Sequence, residues 1–215
     1  MNTTCCPLCS QAQNTQLFAR DGRRVYRRCQ RCLLVWVPPA FFLSSAREKA
    51  EYDLHENSMA DAGYRRFLAR LADPLLNCLE PGARGLDFGC GPGPALAAML
   101  EERGCRVALY DVFYQPDQDA LQGRYDFITA TEVVEHLHCP GDELAGLWSL
   151  LRPGGVLGIM TKRVSDREAF LRWHYKNDPT HVCFFSAETF DWWARQYGAR
   201  LHFPGPDTVL LFKSP

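Results

Sequence analysis

At 215 residues, with 47% hydrophobic and 23% charged side chains, the chain has the make-up of one sizeable globular core with an appendage, which excludes a fibrous repeat and wholesale disorder. A formal net charge of -1 supplies no global attraction to nucleic acid or anionic lipid. The first residues lack the basic and apolar regions of an export signal, and no apolar run reaches bilayer length, so the sequence predicts a cytoplasmic protein with reduced thiols and no membrane contact, monomeric or homodimeric.

Residues 1–40 carry Cys6-Pro7-Leu8-Cys9 and Cys29-Gln30-Arg31-Cys32, separated by positions 10–28. Two such turns at this spacing predict a small zinc ribbon, with Cys6, Cys9, Cys29 and Cys32 on one structural Zn2+. The metal replaces a hydrophobic core that so short a segment cannot build. Cys5, beside Cys6, leaves a small ambiguity of register. Cys78, Cys90, Cys105, Cys139 and Cys183 stand singly and read as apolar fillers. Arg20, Arg23, Arg24, Arg27, Arg28 and Arg31 crowd the module, a pattern open to an RNA-gripping face, an acidic-partner site or an ordinary solvated surface.

Over 41–80, Tyr64, Phe67, Leu68 and Leu71 recur at helical spacing before Pro81-Gly82, predicting a helical connector or lid. From 81 to 215, apolar segments at 85–88, 106–110, 125–129 and 156–160 alternate with helical stretches, the pattern of a doubly wound, mostly parallel α/β sheet of Rossmann-like type. Two closing segments, 199–203 and 208–212, lie near enough in sequence to predict an antiparallel last strand. The short interval 112–124 leaves the usual third strand cramped or absent.

Leu86-Asp87-Phe88-Gly89-Cys90-Gly91-Pro92-Gly93 follows a predicted strand and precedes the Ala/Leu-rich stretch 95–100. Glycines at alternate positions let the backbone turn sharply and approach a ligand closely. Asp111, after the next strand, stands where a carboxylate accepts hydrogen bonds from both ribose hydroxyls of an adenosine cofactor. A nicotinamide dinucleotide fits less well, because the sixth position of its glycine fingerprint is Pro94 here.

These residues, with Tyr125-Asp126-Phe127-Ile128 and Leu151-Arg152-Pro153-Gly154-Gly155, resemble the class I S-adenosylmethionine (SAM)-dependent methyltransferases over about residues 60–215. The resemblance implies that Asp87, Gly89, Gly91, Gly93, Asp111 and Thr131 hold SAM. Thr131-Glu132-Val133-Val134-Glu135-His136 follows the fourth strand; opening a helix, it would project Glu132, Glu135 and His136 from one face. Two carboxylates and an imidazole there make a divalent-cation site; the plainer reading has Glu132 capping the helix or bracing the cofactor loop, with His136 packed on the sheet.

The motif is similar to that of the ubiquinone-pathway O-methyltransferases and, with the later Asp178-Pro179-Thr180-His181, to the metal-dependent small-RNA 2′-O-methyltransferases. Both resemblances imply Mg2+ or another divalent cation on Glu132, Glu135, His136 and His181. Alternatively His181 is a general base or a structural loop residue. Trp173, Tyr175, Phe184 and Phe185 read as an apolar lid or as core. The expected function is methylation of a small-molecule acceptor, at oxygen, with His181, His136 and Glu132 as the catalytic set. The rivals are an RNA methyltransferase that grips its strand with the arginine-rich ribbon and a non-catalytic SAM-binding protein.

Overall fold

The computed structural model describes residues 5–12, 14–54 and 59–215. In chain order these form β1 (Thr15–Arg20), β2 (Val25–Cys29), β3 (Val35–Trp36), α1 (Ser45–Tyr52), α2 (Ala62–Leu76), β4 (Arg84–Phe88), α3 (Ala95–Glu101), β5 (Arg106–Tyr110), β6 (Tyr125–Thr131), α4 (Pro140–Leu150), β7 (Leu151–Met160), α5 (Arg167–Arg172), β8 (Cys183–Phe184), α6 (Ala187–Tyr197), β9 (Arg200–His202) and β10 (Thr208–Phe212). They pack as two compact units, one drawn from 1–54, 134–145 and 162–197, the other from 55–133, 146–161 and 198–215. Among the described residues no helix is long and apolar enough to cross a membrane.

The second unit holds a six-stranded sheet in the order β5-β4-β6-β7-β10-β9. β5, β4, β6 and β7 run parallel, while β10 lies antiparallel between β7 and β9. Phe127, Ile128 and Ala130 of β6 are all buried, as expected of a strand covered on both faces. The chain crosses from β5 to β6 through a 3-10 turn at Gln118–Gln122, where a third strand would otherwise stand. α2 starts at Asp61, whose side chain accepts from the Tyr64 amide, and buries Leu68, Leu71, Ala72 and Leu75 against this core. Each leucine so buried stabilises the fold by roughly 2 kcal/mol. The expected Rossmann-like architecture is the one observed, with strands within a few residues of their predicted places.

The first unit is built on an antiparallel sheet in the order β1-β2-β3-β8. β3 and β8 are two-residue strands from distant parts of the sequence, joined by Val35 opposite Phe184 and Trp36 opposite Cys183. Tyr26, Phe170 and Phe184 form its aromatic centre, with ring centroids 4.9, 5.9 and 5.2 Å apart in edge-to-face contacts.

Candidate functional site

The glycine loop leaves β4 at Gly89, whose amide and that of Cys90 donate to the Tyr110 carbonyl at the end of β5 (2.7 and 3.2 Å). Gly89 and Gly91 take φ of 73° and 65°, backbone that L side chains rarely adopt. A Cβ on Gly89 would clash with Val133 Cγ2, whereas one on Gly91 would meet nothing within 4 Å among the described residues. The loop is therefore closed on its inner side and open above Gly91. Asp111 Oδ2 accepts from the Gly91 amide (3.0 Å), and its Oδ1 from the amides of Phe113 and Tyr114 (2.8 and 3.1 Å). Beneath the loop, buried Asp87 accepts from the Thr129 hydroxyl at 2.7 Å. Burial pushes the Asp87 carboxyl up to about 6, with the Thr129 bond opposing the rise and the Asp111 charge adding to it. Thr131 Oγ1, at the end of β6, is buried without a hydrogen-bond partner among the described residues.

β6 stops at Thr131, and the following residues form a turn rather than the helix start that the Glu-x-x-Glu-His spacing suggests. Glu132 sits at a φ of 51° with its amide bonded to the Met160 carbonyl (2.8 Å), a left-handed residue that breaks the i, i+3, i+4 alignment. Burial raises the nearby Tyr64 phenol, and the Asp87 and Glu132 charges raise it further. Glu132 thus belongs with the sheet unit, and Glu135 and His136 with the other.

In that other unit, Glu135, His136 and His181 each offer a ligand atom within 4.8 Å of the others. The Glu135 carbonyl accepts from the amides of Val182 and Cys183 (2.8 and 2.9 Å), which fastens the turn to the loop bearing His181. Glu135 is fully buried and accepts a hydrogen bond from the Tyr175 hydroxyl. His181 Nδ1 lies 2.7 Å from the Tyr175 carbonyl; because a carbonyl only accepts, Nδ1 carries a proton, and in the neutral imidazole Nε2 holds the lone pair. The Asp178 carboxylate stands 3.8 Å from Nε2. Burial raises the Asp178 carboxyl, but bonds from Thr180 and the His181 and His136 charges outweigh it, leaving it below its ordinary value. Tyr52 packs edge-on against His136, 5.2 Å between centroids.

Cys6, Cys9, Cys29 and Cys32 place their sulfurs within 4.8 Å of one another, and Cys6–Cys32 and Cys9–Cys29 approach to 3.4 and 3.6 Å. A tetrahedron of about 2.3 Å metal–sulfur bonds has edges of about 3.8 Å, close to these separations. Hydrogen bonding to Cys6 and Cys9 pushes the Cys32 thiol up, and bonds from Cys32 and Cys6 draw Cys9 down.

The arginines do not form one solvated face. Arg24 is buried, Arg27 bonds Thr15 and Arg28 lies over the Phe18 ring, while Arg20, Arg23 and Arg31 are exposed, Arg31 lying over the Trp192 ring. Nor are the aromatics a lid as a group: Tyr175, Phe184 and Phe185 are core, and Trp173 alone is half-exposed. Tyr52 carries no motif of its own, and only the folded chain shows its nearness to His136 and that of Tyr64 to Asp87 and Glu132.

Residues 57–202 match the family described as "Methyltransferase domain". Among curated proteins, the chain is 29% identical to a malonyl-[acyl-carrier protein] O-methyltransferase of Enterobacter lignolyticus, over 57% of this chain and 57% of the relative. It is 29% identical to a ubiquinone biosynthesis O-methyltransferase of Burkholderia cenocepacia, over 37% of this chain and 44% of the relative. The chain thus matches little more than half the length of the first and less than half of the second. Among solved structures, the 1,6-didemethyltoxoflavin-N1-methyltransferase of Burkholderia thailandensis has the same fold, with a TM-score of 0.51 at 16% identity, covering 92% of this chain and 98% of that one. With two thirds of its length matched by the family, and with that family's sheet, the chain belongs to the methyltransferase-domain family.

Proposed function

We propose that this chain methylates a small-molecule acceptor at a hydroxyl oxygen, using SAM. The observation that carries the reading is the glycine loop, open above Gly91 and closed on the Asp111 carboxylate. Its fit to an adenosine-bearing cofactor rests on that open backbone and on Thr131 Oγ1, a buried hydroxyl without a hydrogen-bond partner among the described residues. Asp87, Gly89, Gly91, Gly93, Asp111 and Thr131 would hold the cofactor, with Asp111 as the acceptor for ribose hydroxyls. When bound, SAM supplies a methyl group already activated on a sulfonium sulfur. The protein's remaining work is to orient the acceptor and take its proton.

His181 suits that task, because its Nε2 lone pair accepts a proton while Nδ1 stays bonded to the Tyr175 carbonyl. The same Glu135, His136 and His181 atoms can hold a divalent cation that lowers the pKa of an acceptor hydroxyl. Two imidazoles and one carboxylate suit Mn2+, Co2+ or Zn2+ better than Mg2+, which prefers oxygen ligands. Glu132 is then a bracing carboxylate of the cofactor side. The cysteine set would carry a structural Zn2+. Oxygen as the acceptor atom agrees with the names of the two curated relatives. With Arg24 buried, Arg27 bonded to Thr15 and Arg28 laid over the Phe18 ring, half of the module's arginines are engaged within the protein, which favours a small molecule over RNA.

The test is label transfer from methyl-tritiated SAM to a panel of phenols, carboxylic acids, amines, thiols and a short RNA, with and without Mn2+. The expected result is labelling of an oxygen acceptor that falls at least a hundredfold in His181→Asn. Labelling confined to amines or RNA would overturn the reading, and cofactor binding with no transfer to any acceptor would favour the non-catalytic rival.

A further inference from the structure

The basic side chain with the most hydrogen bonds in the N-terminal module points inward. Arg24 follows the β1–β2 hairpin turn and is 7% exposed. Its Nη1 donates to the carbonyls of His181 (2.9 Å) and Pro179 (3.3 Å), and its Nη2 to those of Asp178 (2.8 Å) and Lys176. A single planar guanidinium thus bonds four carbonyls within the six-residue stretch 176–181, which ends at His181. The hairpin holds the guanidinium in turn: Asp21 Oδ1 accepts from the Arg24 amide (2.9 Å), and its Oδ2 accepts from Lys176 Nζ (2.8 Å) and the Tyr26 hydroxyl (3.0 Å). Asp21 and Lys176 therefore tie the two segments together a second time, through an ion pair whose lysine is almost fully buried.

We propose that Arg24 is the positioning residue of the His181 loop, and that the cysteine module serves the candidate site as a scaffold. The inference rests on the reading of Glu135, His136 and His181 as the chemical group. Loops of this length have many backbone conformations of similar energy, and each carbonyl bonded to a charged donor removes some of them. Arg24 fixes the carbonyls on both sides of Asp178, and the Tyr175 carbonyl then fixes the His181 ring through Nδ1. Lysine in place of Arg24 keeps the charge but lacks the planar fork needed to bond four carbonyls at once.

The experiment uses the full chain with its cysteine site filled by zinc, in wild type, Arg24→Ala, Arg24→Lys and Arg27→Ala forms. The Arg27 side chain bonds Thr15 of its own hairpin, so its variant controls for loss of hairpin stability. Co2+ is titrated by visible absorption, and the His181 tautomer is read from its ring 15N shifts. Expected are a tenfold or greater loss of Co2+ affinity in both Arg24 variants at unchanged zinc content, a mixed His181 tautomer, and wild-type behaviour in Arg27→Ala. Should Arg24→Ala fail to fold, Arg24→Lys carries the same expectation. Wild-type Co2+ affinity and a pure Nδ1–H tautomer in Arg24→Lys would overturn the proposal. If wild type takes up no Co2+, the cation reading fails separately, and the tautomer decides for Arg24: mixing supports it and an unchanged ring overturns it.

Discussion

Asp87 is a carboxylate buried under the glycine loop with one hydroxyl donor, and its position ties protonation to folding. Because its pKa in the folded state, about 6, lies above its ordinary value of 3.8, the folded protein binds this proton more tightly than the unfolded chain. The contribution is fully present below about pH 4 and is lost as pH rises through about 6, an effect of roughly 2–3 kcal/mol. Denaturant titrations at pH 4 and 7 should therefore show a pH dependence that Asp87→Asn flattens, the variant gaining stability at pH 7; an unchanged profile would contradict the burial argument. Gly89 and Gly91 share a left-handed backbone but differ in their surroundings. Gly89→Ala should lower stability by roughly 2 kcal/mol or more, since strain and the Val133 clash add. Gly91→Ala should cost only about 1 kcal/mol yet weaken cofactor binding at least tenfold, because its new methyl points into open space. Paired thermal melts and cofactor titrations separate the two, and equal effects on both observables would contradict the loop's assignment.

Among the elements, those most legible in the sequence were buried on both faces or followed one clear period. β10 is a nearly continuous apolar run, β4 and β6 are short apolar-rich segments buried at Leu86, Phe127 and Ile128, the half-exposed edge strand β5 shows Val107, Ala108 and Leu109 in a row, and α2 is marked by Leu68, Leu71 and Leu75. β3 and β8 were not legible, because a two-residue strand has no period and their pairing spans nearly the whole first unit in sequence. The turn after β6 is hidden for a related reason: Glu-x-x-Glu-His has helical spacing, and nothing local signals that Glu132 adopts a left-handed φ. The residue types of the candidate site could be read; Tyr175 and Arg24 as neighbours of His181 could not, since backbone carbonyls carry no sequence signature. At this scale the cysteine module yields its own prediction. Cys29→Ser/Cys32→Ser should lose one zinc per chain by metal analysis and lower the melting temperature by several degrees, and full zinc content in the variant would contradict the four-sulfur site.

On the scale of the whole molecule, each compact unit is assembled from three separate stretches of chain, so a division of the sequence into consecutive blocks cannot describe the packing. The sheet unit carries the glycine loop, Asp87, Asp111 and Thr131; the other carries both donor clusters, four cysteines in one and Glu135, His136 and His181 in the other. Cofactor binding is proposed for the first and proton or cation chemistry for the second, and both depend first on the cofactor. The most direct test is calorimetric titration of S-adenosylhomocysteine into the wild-type chain and an Asp111→Ala variant, with circular dichroism to verify that the sheet is intact. Expected are micromolar binding by wild type and at least a tenfold loss in the variant, since Asp111 closes the loop through Gly91 and is the proposed acceptor for the ribose hydroxyls. No binding by wild type, or unchanged binding by Asp111→Ala, would contradict the proposal.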